Sequence, residues 1–134
     1  MRIFFISFFG VLLFSFTPGE NKKVIGHWIY EHDLYDMHVN DTLIFTKTKY
    51  NDDLYQWGGA LCGIEMDADS SFAEFHNVLC SSESSPVRYS DEKWSFSNNI
   101  ISISSAEREL EWKVLSVSNK KLTVLVINMH MKNE

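Results

Sequence analysis

The sequence predicts an all-β domain, an eight-stranded antiparallel up-and-down barrel, behind a short N-terminal leader. Three observations carry that expectation. From Val24 onward apolar residues alternate with polar ones over short runs, the period of a half-buried strand. Turn residues interrupt those runs about every ten positions, which suits hairpins. Almost no stretch repeats apolar residues at the spacing of a helix face.

The leader comes first. Met1 to Phe16 read MRIFFISFFGVLLFSF, one arginine near the start and then an apolar run from Ile3. Thr17, Pro18 and Gly19 end the run, and Glu20 to Lys23 is polar. This is the layout of a secretory signal peptide over residues 1–19, and the run falls short of the roughly 20 residues a spanning helix needs. A retained membrane anchor is the alternative, and Thr17 the alternative cut. No cysteine follows the run, so a lipid anchor is not expected. Residues 20–134 then form one domain, destined for the periplasm or the outside of the cell.

The whole chain carries a formal charge of −6, and loss of Arg2 with the leader makes the remainder more acidic. Such a surface repels phosphate backbones and anionic lipid, so neither nucleic acid nor a membrane surface is an expected partner. No spanning segment is expected after the leader. Cys62 and Cys80 both lie in the exported part, where two thiols read as one disulfide. Closing a loop of roughly 15 residues is worth about 3 kcal/mol in the chain-entropy model.

The strands follow in order. Val24–Glu31 is the first, with Ile25, Trp28 and Ile29 as its bulk. His32–Asp41 is polar and loop-like, its Leu34, Tyr35, Met37 and Val39 set for a short helical turn or an extended lid. Thr42–Tyr50 alternates β-branched, aromatic and lysine residues. After the turn Asn51-Asp52-Asp53, Leu54–Met66 is a strand broken by Gly58-Gly59, a bend or bulge where a barrel wall curves. Asp67–Ser70 turns into Phe72–Leu79, and the polar loop Ser81–Pro86 leads to Val87–Phe96. Asn98-Asn99 is a turn because asparagine tolerates positive φ. Ile100–Ser104 is short; Leu110, Trp112 and Val114 alternate before the phase slips to Leu115 and Val117. Asn119-Lys120 turns the chain into Leu122–Met129.

Eight consecutive strands with short links close edge to edge and hide the unpaired edges that invite aggregation. A two-layer sandwich is the structural alternative. A hairpin turning at Ala68-Asp69 sets Cys62 opposite Phe75. Cysteine α-carbons must approach within about 7 Å, so the bridge needs a turn nearer Ser71 or a loop after Leu79 that folds back. In the last strand Val124 to Ile127 is apolar on both faces, and the outer face needs cover from the Leu34–Val39 loop, the N-terminal residues or a partner.

Gly26-His27-Trp28 is a G-x-W on the first strand, and it resembles the opening motif of the lipocalins and of bacterial lipocalin-like domains. Trp112 to Val124 is similar to the last hairpin of these domains, an aromatic-led strand, a serine-containing turn and a leucine opening the final strand. The resemblance covers most of residues 24–129. It implies that Trp28 packs across the closed end of the barrel and that Gly26 lets the chain enter tightly. Typical lipocalins lay an arginine of the closing strand over that tryptophan. Leu122–Met129 has none, so the cap is absent or comes from Lys120 or Lys121.

Catalytic and metal signatures are missing. His27, His32, His38, His76 and His130 match no zinc-ligand spacing. Asp67-Ala68-Asp69-Ser70 lacks the glycine and distal glutamate of a calcium loop. There is no G-x-S-x-G elbow, P-loop or dinucleotide fingerprint. The sequence therefore predicts no enzyme, cofactor or metal. Aromatic residues remain: Tyr55, Trp57, Trp94, Phe96 and Trp112 are the candidate lining of a site for a small apolar molecule at the barrel mouth. The competing expectation is a filled barrel that meets a partner protein through its loops, as an exported inhibitor or immunity-type protein would.

Overall fold

The computed structural model describes residues 21–30, 34–48, 62–76 and 91–132. The leader, Tyr55, Trp57, Gly58-Gly59 and Cys80 lie outside them. Among the described residues there are eight strands: β1 Gly26–Tyr30, β2 Thr42–Thr48, β3 Cys62–Met66, β4 Phe72–His76, β5 Lys93–Ser97, β6 Ile100–Ser104, β7 Arg108–Val117 and β8 Lys121–Met131. All neighbouring strands are antiparallel, and together they form one nearly closed barrel. An eight-stranded antiparallel barrel is the coarse architecture expected from the sequence; the strand order departs from the simple up-and-down one.

Burial follows the alternation. In β2, Leu43 and Phe45 are buried while Thr42, Ile44 and Thr46 are exposed. β1 starts two residues later than expected because Asn21–Val24 forms a single helical turn, α1. The indole N–H of Trp28 donates to the carbonyl of Val24 at 2.8 Å, and Val24 is fully buried. β5 also starts later than expected, at Lys93, with Asp91 in a turn at φ 69°.

The turns are chemically specific. At Asn98-Asn99 both residues have positive φ, 52° and 60°, and Ser97 pairs with Ile100. A two-residue hairpin loop needs that handedness to match the strand twist. Between β3 and β4 the loop is three residues long, since Asp67 N–H donates to Ser71 and Ser70 takes φ 70°. The extra residue shifts the pairing by one, so Cys62 faces His76 and not Phe75.

Strand order is β4-β3-β1-β2-β8-β7-β6-β5. From β3 to β8 successive strands are neighbours, as in a meander. The first hairpin is inserted the other way round: β1 lies between β2 and β3, and β8 pairs with β2. Alternation along each strand cannot encode which of two hairpin strands meets the rest of the sheet. Among the described residues β4 and β5 meet at their starts alone, through a Ser71–Lys93 bridge with Phe72 N–H donating to Glu92 and Trp94 N–H to Ser70. The Trp94 indole adds a bond to the Asp67 carbonyl at 2.9 Å.

The phase slip in β7 is a bulge. Val114 pairs with Val124 and Ser116 with Thr123, which leaves Leu115 unpaired and exposed. A second irregularity leaves Ile127 of β8 unpaired between Val126 and Asn128. Inside, one apolar cluster runs from Val24 and Trp28 through Phe45, Ile64 and Phe72 to Trp94, Trp112 and Val126. The Leu34–Asp36 segment is a 3-10 turn, and Leu34 and Met37 join this cluster.

Candidate functional site

The β1 end of the barrel is sealed. Lys47 lies opposite Trp28 and crosses its ring, with Nζ 5.0 Å from the ring centroid. That ammonium donates to the Ile25 carbonyl at 3.1 Å. Gly26 sits beneath the lysine stem at φ +137°, where a Cβ would come within 2.9 Å of Lys47 Cε. The cation over the G-x-W tryptophan thus comes from β2, whereas Lys120 in the β7–β8 turn and Lys121 at the start of β8 are exposed. The closing strand, where the resemblance places the cap, does not supply it; Lys47 does, and its place depends on the register of β1 against β2, which alternation does not fix.

A charged triad lies within the wall. Arg108 Nε and Nη2 donate to the two oxygens of Glu92 at 2.9 and 2.8 Å, and Nη2 also donates to Glu74. Both carboxylates are buried and Arg108 is mostly so. Burial opposes the charge on Arg108, but the bonds and proximity of Glu92 and Glu74 outweigh it and hold the guanidinium above its ordinary pKa. The three residues come from β4, the approach to β5, and β7, so the triad ties β7 across the incompletely paired β4–β5 seam. No motif announces such a triad in sequence.

The opposite stretch of β7 and β8 is open. Directly opposite residues of an antiparallel pair share a face. Arg108 lies opposite Met131, Leu110 opposite Met129, and Trp112 opposite Val126. Leu110, Trp112 and Val126 are buried in the core, so Met129 and Met131 belong to the inward-facing series. Yet Met129 is 39 % exposed and Met131 45 %. β8 outruns its neighbour here: β2 pairs with Lys121–Leu125 alone, and Asn40 and Asp41 extend the contact only to Val126. The inner wall therefore passes from closed at Trp112 to open within two rows.

Of the expected aromatic lining, Trp94 and Trp112 lie in the core at 7 % and 0 % exposure, and Phe96 packs against it. Trp112 touches Phe45 and Phe72, with ring centroids 5.8 and 6.2 Å away. Its Nε1 is buried without a hydrogen-bond partner. Leaving such a donor unsatisfied costs about 1–3 kcal/mol. Trp57 and Tyr55 lie outside the described residues, as does Cys80; Cys62 is buried on β3. Tyr30 meets Phe45 at 5.3 Å, and burial, then Asp41 and Cys62, raise its phenol above the ordinary value.

Among the described residues no three His, Cys, Asp or Glu side chains converge as a metal ion would require, and no helix is long and apolar enough to cross a membrane. The chain matches no protein-family model, no curated protein and no solved structure.

Proposed function

We propose that this chain is an exported, non-catalytic, lipocalin-like binding protein that holds a small apolar molecule at the barrel end framed by Leu110, Met129 and Met131. One observation carries the reading: two inward-facing methionines are left in water at the end of a wall that is otherwise packed. Methionine suits that role, being flexible, polarizable and able to fit more than one apolar shape. The signal-peptide pattern of residues 1–19 supports export. In an oxidising compartment Cys62 and Cys80 would bond to each other.

A second reading has its own support. Trp94 and Trp112 fill the lumen, and two apolar side chains stand out on the outer surface. Ile44 lies opposite Thr123, which lies opposite Ser116 beside the bulged Leu115. A partner protein meeting that face would not need the lumen.

A neutral apolar dye separates the two. Nile red added to residues 20–134 should brighten, shift to the blue and raise the melting temperature. If it does none of these, the carrier reading is lost and the partner-protein reading takes its place.

A further inference from the structure

The Trp112 indole nitrogen is the one buried side-chain polar atom among the described residues with no hydrogen-bond partner. Its counterparts in the barrel are satisfied: Trp28 donates to Val24 and Trp94 to Asp67. Native interiors rarely leave a donor unpaired, so this N–H calls for an acceptor, supplied by a trapped water or by an occupant of the barrel. Trp112 stands one row inward from the Leu110–Met129 pair and two from Arg108–Met131, on the same face. The unsatisfied donor and the exposed methionines thus belong to one end of one wall.

The charge nearby restricts what that occupant is. Glu74 and Glu92 are buried beside Arg108, whose Nε and Nη2 are already given to them. Two carboxylates against one guanidinium disfavour a further anion. An acceptor that is neutral meets no such opposition.

We infer that the molecule held at this end is neutral and mostly apolar and carries one acceptor oxygen, such as a ketone, ester or amide carbonyl, which takes the N–H of Trp112. Met129 and Met131 cover its apolar part, and the acceptor selects it over a plain hydrocarbon. The inference rests on the small-molecule reading above and adds the polar group that the reading leaves open.

Three probes of matched shape test it: acetophenone, isopropylbenzene and benzoate. The protein is labelled with nitrogen-15 in its indoles, and the Trp112 signal is identified as the one lost in Trp112→Phe. Acetophenone should move that signal downfield, while isopropylbenzene should bind without doing so and benzoate should bind weakest. Trp112→Phe should weaken acetophenone roughly three- to tenfold, the worth of one neutral hydrogen bond. Isopropylbenzene affinity should stay within about twofold, which controls for altered packing. Binding of both neutral probes with an unmoved Trp112 signal overturns the inference, leaves the carrier reading intact, and assigns the N–H to a trapped water. Failure of all three probes to bind overturns both.

Discussion

Lys47 spans the ring of Trp28 and reaches the carbonyl of Ile25, so one side chain closes the barrel end and fills the space that Gly26 leaves. Strand pairing sets this up, because residues 28 and 47 are direct partners across β1 and β2. The cation gains from the ring face, and the glycine is required by both its φ and the lysine above it.

Two substitutions there should be coupled. Lys47→Met keeps the stem and loses the charge, and should cost about 1–2 kcal/mol from the ring and hydrogen-bond contributions. Gly26→Ala should cost about 2 kcal/mol, through unfavourable φ and the displaced lysine. With Lys47→Ala in place the alanine at 26 should cost less, since only the backbone strain remains. Urea unfolding measures all three; strict additivity would contradict the contact.

Arg108 should be the most costly charged residue to remove. Arg108→Met leaves Glu74 and Glu92 buried without their guanidinium, a loss of about 3–5 kcal/mol. Replacing all three, with Leu at 74 and 92, should restore most of that loss. Denaturant midpoints decide it, and a loss below about 1 kcal/mol for Arg108→Met would mean the triad does not hold the seam.

The turn at Asp69 titrates low. The Ser71 hydroxyl donates to Asp69 Oδ1 at 2.6 Å and the Ser71 N–H at 2.9 Å, and these bonds, the hydroxyl's first, lower its pKa with help from Lys93. A carboxylate depressed in the folded state stabilises above its unfolded pKa and loses that effect as pH falls through the folded one. Ser71→Ala should return the Asp69 titration toward an ordinary aspartate value. A carbon-13 titration of the carboxyl reads it directly, and an unchanged midpoint would contradict the assignment.

The β5–β6 turn depends on handedness. Asn98 and Asn99 both sit at positive φ. Asn99→Gly should be neutral or slightly stabilising, while Asn99→Val should cost about 1–2 kcal/mol. Thermal unfolding of the two variants compares them.

That turn also shows how much the sequence disclosed. Asn98-Asn99, the alternation in Thr42–Thr48 and the slip at Leu115 were readable because each is a local matter of φ, period or bulge. Long-range facts were not. Lys47 over Trp28 requires the register of β1 against β2, which alternation does not fix, and the triad joins residues 74, 92 and 108 that no spacing rule links. Trp94 and Trp112 were correctly placed on alternating strands, but alternation does not distinguish a residue that lines a site from one that fills the core. Met129 and Met131 carried no signal at all. Their exposure follows from β8 running past the end of β2, a matter of strand length and order.

The open barrel end is best tested by moving charge into it. Nile red should be titrated against Met129→Lys/Met131→Lys and, as the outer-face control, Ile44→Lys/Leu115→Lys. Removing the apolar contact of two methionines should weaken the dye by about tenfold or more, while the outer-face pair should bind as the unaltered chain does. The reverse pattern, full affinity with lysines at 129 and 131 and loss with lysines at 44 and 115, would contradict a site inside the barrel mouth.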